Sequence, residues 1–125
     1  MYRKRKKMNN YILIYLLFLH FIADFVCQTS WMATNKSKNF LALSSHVLTY
    51  GLVLFLGTIC FGLDKAFLFS LVNFGLHLLV DFFTSKATSY LWTKGDVHNF
   101  FVVIGFDQLI HQVCLILTGY FFFYL

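Results

Sequence analysis

Three histidine–aspartate pairs recur at helical spacing in this chain: His20-x-x-x-Asp24, His77-x-x-x-Asp81 and, reversed, Asp107-x-x-x-His111. Residues four apart share one face of an α-helix. Each pair is embedded in Leu, Phe, Ile and Val, and a seventh ionisable group, His46, sits in the remaining apolar run. Ionisable side chains in such segments are expensive and mark a functional site by default.

Imidazole and carboxylate together are a ligand set for zinc, and also for manganese or iron. Three carboxylates in a low-dielectric bundle also need positive charge nearby. Two divalent cations would offset them, and seven side chains suit a dinuclear site with a bridging carboxylate and an open water position. One cation, with the other His–Asp pairs supporting its ligands, is equally compatible. The candidate metal ligands are therefore His20, Asp24, His46, His77, Asp81, Asp107 and His111, with Asp24 and Asp107 as candidate catalytic carboxylates. A single pair of this kind is more often an interhelical hydrogen bond. Seven groups at one depth favour a metal or proton site.

The elements that must position these groups follow from composition. Of 125 residues, 59% are hydrophobic and 12% charged, with no proline, 17 phenylalanines and no glutamate. A soluble domain carries about 25% charged residues, and so short a chain could not bury this much Phe and Leu in a soluble core. The pattern predicts an all-α polytopic membrane protein with four transmembrane helices in an antiparallel bundle. The helices are expected at about 11–27, 43–63, 66–83 and 100–125, after a basic arm over residues 1–10. Ser44 and Ser45 are candidate caps for the second helix. The tight turn Gly62-Leu-Asp64-Lys65 makes helices two and three antiparallel neighbours.

The net charge of +5 rests mainly on Arg3-Lys4-Arg5-Lys6-Lys7. Directly before an apolar helix this run reads as a cytoplasmic anchor on anionic lipid, with no nucleic acid expected. Six Lys and Arg fall on the side of the arm and four on the other, which puts both termini in the cytoplasm. Trp31, Tyr90 and Trp92 then form an aromatic belt at the opposite interface. Cys27, Cys60 and Cys114 lack C-x-x-C spacing and read as small buried hydrophobes.

Because the helices alternate in direction, all seven ionisable groups fall in the leaflet nearest the tryptophans. Gln28, Tyr50, Asn73 and Gln108 lie one turn from, or beside, members of the set and are placed to orient ligands or water. Lys38 and Lys86 sit at the mouth and suit an anionic headgroup, although snorkelling is the more common role for such lysines. Gly51, Gly75 and Gly105 are candidates for close helix approach.

The ordered series His20-Phe-Ile-Ala-Asp24-Phe-Val-Cys-Gln28, Lys38, His46-x-x-x-Tyr50, His77-Leu-Leu-Val-Asp81 with Lys86, and Phe106-Asp107-Gln108-x-x-His111 resembles a family of small bacterial and phage membrane proteins catalogued as a domain of unknown function. The resemblance covers about Tyr11 to Leu117 and implies a bacterial inner-membrane location and the same seven signature residues. It implies no reaction. More loosely, the layout is similar to membrane-bound metal-dependent hydrolases, without their His-Arg-x-x-Thr-His-Ser opening.

The leading expectation is a metal-dependent hydrolase acting on a lipid or lipid-linked phosphoester at the interface. The alternatives are a non-catalytic membrane partner, modulator or pore former, and a metal-ion or proton transporter. A continuous wet path would need a homo-oligomer, because the leaflet away from the tryptophans is nearly all apolar.

Overall fold

The computed structural model describes residues 9–125. Most of the basic arm expected over residues 1–10, including Arg3 to Lys7, lies outside them. Every element among the described residues is helical: α1 (Asn10–Phe21), a π-helical turn (Ile22–Val26), α2 (Ser30–Asn35), α3 (Phe40–Thr58), a 3-10 turn (Ile59–Phe61), α4 (Leu63–Thr93) and α5 (Val97–Tyr124).

Four of the helices, α1, α2, α3 and α5, begin where a short polar side chain can accept a first-turn N–H. Asn9 accepts from Tyr11, Thr29 from Met32, Asn39 from Leu41 and Asp96 from Asn99. The Asp96 carboxyl is held below the usual carboxylate range by the Asn99 side-chain amide, then by the Asn99 backbone N–H. Asn39 starts α3 before the expected position 43. Ser44 and Ser45 are therefore interior residues, donating to the carbonyls of Phe40 and Leu41 at 2.7 Å each. Gly62, at φ 118°, makes the sharp exit between the 3-10 turn and α4.

The largest difference from the sequence reading is α4, which runs ten residues past the expected end at Phe83, through Thr93. Thr84 to Thr93 contains neither Pro nor Gly, so nothing stops the backbone ladder. The polarity that looked like a loop marks the part of α4 beyond the apolar span. At 31 residues the helix is about 46 Å long, well beyond a hydrocarbon core of about 30 Å.

Three helical segments are long and apolar enough to cross a membrane: Phe40–Phe61, Leu63–Thr93 and Val97–Tyr124. Asn10–Val26 is a shorter apolar helix. Four rods pack together, with α4 against α3 and α5, and α1 against the same two. His46 meets His77 and Gly51 meets Phe74, so rising numbers on α3 meet falling numbers on α4. Asp107 meets Thr84 and Thr118 meets Asn73, the same relation between α5 and α4.

One half of the bundle interior is apolar, built from Leu16, Leu19, Leu54, Phe69 and Leu115. The other half carries the ionisable residues. The close approaches fall on Gly57 and Gly119, where an added Cβ would lie 2.6 Å from methyls of Leu19 and Leu16. Gly75 and Gly105 have nothing within 4 Å of that position, and Gly51 makes only ordinary contact with Phe74. Outward-facing Leu48, Leu52, Phe67, Leu71, Leu109, Leu117 and Phe121 are all exposed. In water that belt would be a large apolar liability, whereas acyl chains solvate it without cost.

Candidate metal centre

Asp24 lies in the π turn, with its side chain 4% exposed. Turns of this kind are rare and recur at functional sites, because the extra residue redirects a side chain. His46 comes from the second turn of α3, His77 and Asp81 from successive turns of α4, and Asp107 and His111 from successive turns of α5. His46, His77, Asp81 and His111 are buried to 3% exposure or less.

Four atoms converge: Asp24 Oδ1, His46 Nε2, His77 Nε2 and Asp81 Oδ2. His46 Nε2 is 3.0 Å from Asp24 Oδ1, 3.3 Å from Asp81 Oδ2 and 3.0 Å from His77 Nε2. His77 Nε2 is 3.4 Å from Asp24 Oδ1 and 3.6 Å from Asp81 Oδ2. A tetrahedral ion with bonds of about 2.0–2.1 Å needs ligand atoms about 3.3–3.4 Å apart. The two imidazole nitrogens already stand near that spacing from each other and from both carboxylate oxygens. Protons alone serve the arrangement poorly: a hydrogen bond between the two imidazoles leaves one ring's lone pair facing carboxylate lone pairs, and protons on both Nε2 atoms set two N–H groups 3.0 Å apart. The donor set therefore fits a cation.

Asp24, Asp107 and His111 form a second group able to hold a metal ion, sharing Asp24 with the first. His111 Nδ1 is 3.3 Å from Asp107 Oδ2 and its Nε2 is 3.5 Å from Asp81 Oδ1. Both His111 ring nitrogens and Asp81 Oδ1 are buried without a hydrogen-bond partner among the described residues.

His20, expected among the ligands, belongs to neither group. Gln108 donates its amide N–H groups to Asp24 Oδ2 at 2.8 Å and Asp107 Oδ2 at 3.2 Å, which turns its Oε1 toward His20 Nε2, 2.8 Å away. Because Oε1 only accepts, His20 Nε2 carries the proton and Nδ1 accepts from the Tyr50 hydroxyl at 2.9 Å. Both ring nitrogens are thus spent, and His20 orients the carboxylates through Gln108. Tyr50 also stacks on His77, with ring centroids 4.0 Å apart and 12° between planes. That packing fixes the His77 ring, since the Nδ1 atoms of His46 and His77 have no partner.

Asn73 does not reach the cluster. Its amide donates to the Phe69 carbonyl at 2.9 Å and to Thr118 Oγ1 at 2.8 Å, so it ties α4 to α5 instead of orienting a ligand. Gln28 lines the cavity described below, with its Oε1 buried and unpartnered.

The lysine that enters the cluster is Lys36, which the sequence reading passed over. Its Nζ lies 2.9 Å from Asp81 Oδ2, and its side chain is 19% exposed. Lys38 is exposed and lines the cavity. Lys86 turns away, donating to the Ser37 carbonyl at 3.1 Å and lying 4.4 Å over the Phe82 ring. Thr84, also overlooked, donates to Asp107 Oδ1. The available signal for Lys36 was electrostatic. Three buried carboxylates demand a cation from the chain, and the α1–α3 connection supplies the nearest ones.

A cavity of about 630 Å³ opens over this cluster. Asp24, Asp107 and Gln108 border it. Lys36, Lys38, Ser37, Thr88 and Ser89 give it a polar wall, while Phe25, Trp92, Phe101 and Ile104 give it an apolar one.

No curated protein and no solved structure matches the chain. A family model described as "Protein of unknown function (DUF3307)" matches residues 12–125, and the chain belongs to that family.

Proposed function

We propose that this chain is a four-span membrane protein that binds a divalent cation, with zinc best suited, and uses it to hydrolyse a lipid or lipid-linked phosphoester at the membrane interface. The Asn10–Val26 segment is the fourth span, packed antiparallel to α3 and α5, and both termini lie in the cytoplasm. The observation that carries the reading is the convergence of two imidazole nitrogens, 3.0 Å apart, each lying 3.0–3.6 Å from two carboxylate oxygens. A cation there lowers the pKa of a water it holds toward neutrality.

Charge supports one ion in this position. Asp24, Asp81 and Asp107 carry three negative charges when ionised, Lys36 cancels one, and one divalent cation balances the other two. The cavity supports an amphiphilic substrate, because lysines and hydroxyls line it together with aromatic side chains beside Asp24 and Asp107. The apolar packing of Leu16, Leu19, Leu54, Phe69 and Leu115 in the other half of the bundle weighs against a transport path. A purely structural role is favoured by one feature, the Tyr50–His20–Gln108 hydrogen-bond chain, which knits α1, α3 and α5 without any ion.

Metal analysis separates these readings. Detergent-purified wild-type protein is expected to hold one equivalent of zinc, and His77→Ala to lose it together with phosphoester turnover. Metal-free wild-type protein, or His77→Ala protein that is unstable but unchanged in metal content, would instead establish the structural role.

A further inference from the structure

We propose that Asp107 and His111, together with Asp24, form a second divalent-cation subsite that fills jointly with a phosphate monoester in the cavity. This rests on the metal-site reading above and extends it.

The first ion would be held by Asp24 Oδ1 and Asp81 Oδ2 beside the two imidazoles, and Asp24 is the carboxylate common to both groups. Asp24 turns Oδ1 to His46 and His77 and leaves Oδ2 toward Gln108. Asp81 turns Oδ2 to His46 and Lys36 and leaves Oδ1 toward His111, 3.5 Å away. His111 is 3% exposed, both of its nitrogens lack partners, and they face carboxylate oxygens of Asp107 and Asp81. A buried imidazole flanked by two carboxylates with no hydrogen bond on either nitrogen is costly unless a ligand completes it. A carboxylate shared between adjacent ligand groups, as Asp24 is here, is the construction of two-ion sites, in which the ions stand about 3.5–4 Å apart.

The order of filling follows from charge. Lys36 and one divalent cation already neutralise the three aspartates. A second divalent cation leaves the cluster with two excess positive charges, which buried surroundings resist. A phosphate monoester dianion in the cavity removes that excess. It would also meet Lys38 and the hydroxyls of Ser37, Thr88 and Ser89 on the polar wall. The second ion and the phosphate therefore bind as a unit, each strengthening the other by the same factor. Gln108, whose amide nitrogen bridges Asp24 Oδ2 and Asp107 Oδ2 at 2.8 and 3.2 Å, keeps the two carboxylates together when the subsite is empty.

The experiment titrates Mn2+ into the full-length protein in phosphatidylcholine nanodiscs and follows bound metal and its electron paramagnetic resonance. Three arms are compared: no addition, glycerol 3-phosphate in solution, and phosphatidic acid in the disc. One equivalent is expected without phosphate. A second, at least tenfold tighter than in its absence and spin-coupled to the first, is expected with phosphate. Appearance in both phosphate arms shows that the phosphate group suffices, and appearance only with phosphatidic acid assigns it to the lipid headgroup; either supports the proposal.

Asp107→Asn and His111→Ala should keep the first equivalent and lose the second, with helical melting recorded to confirm folding. A stoichiometry of one in every arm overturns the second subsite and leaves the first standing. Two equivalents retained in folded Asp107→Asn and His111→Ala protein would overturn it as well. No bound Mn2+ in wild type, or a first equivalent that survives His46→Ala, would overturn the underlying metal-site reading instead.

Discussion

Lys36 changes the chemistry of the cluster more than any other single side chain. With Lys36 paired to Asp81, the proposed centre would need one divalent cation rather than two to balance its three carboxylates. Its ion pair with Asp81 joins the α2 region to the centre of α4. Lys36→Met is expected to destabilise the metal-free protein by about 2 kcal/mol, the scale of a hydrogen bond to a charged group, read as a lower melting temperature. Saturating zinc should recover most of that loss, because the ion replaces the missing positive charge on Asp81. Equal losses with and without zinc would show that Lys36 acts only through packing. The residue types and spacing of the site were legible in the sequence, since His-x-x-x-Asp in an apolar run has few bland explanations. The division of labour was not. His20 and His77 share the same motif, yet Gln108 and Tyr50 occupy both nitrogens of His20 and leave Nε2 of His77 facing the carboxylates.

At the scale of the elements, placement of the cluster depends on the π turn of α1 and on how closely α1 approaches its neighbours. Gly57 sits where a Cβ would fall 2.6 Å from Leu19, one residue before His20. Gly57→Val should push α1 away from α3, costing about 1–3 kcal/mol as overpacking. It should also weaken zinc binding, because Asp24 rides on the same segment. Gly105→Ala, with open space around it, is the control and should leave both melting temperature and zinc affinity unchanged or slightly improved. The glycines singled out from the sequence lay near the ionisable motifs; those that matter lie where two apolar helices meet, which only the pairing of helices reveals. The length of α4 was hidden for a related reason. Polarity measures where a helix leaves an apolar environment, whereas Pro, Gly and caps decide where it ends.

For the whole molecule, the placement of α4 relative to the bilayer makes a direct test. In protein with Cys27, Cys60 and Cys114 replaced by serine, Tyr90→Cys should react with a membrane-impermeant maleimide from outside intact cells. Leu71→Cys, equally outward-facing but in the middle of the apolar belt, should react only after detergent is added. Labelling of Leu71→Cys in intact membranes would contradict the span, and labelling of Tyr90→Cys only from the cytoplasmic face would reverse the proposed orientation of the termini. The helical class, the three helices apolar enough to cross a membrane and the identity of the six residues in the two candidate ligand groups were legible in composition and periodicity, because apolar runs and the 3.6-residue repeat leave their record in linear order. Which oxygen faces which nitrogen, that Lys36 reaches Asp81, that His20 is already satisfied and that Asn73 belongs to a different contact were decided by the packing of four rods. Those facts depend on helix rotation and axial offset, which are set by side chains far apart in the chain and have no signature in local spacing.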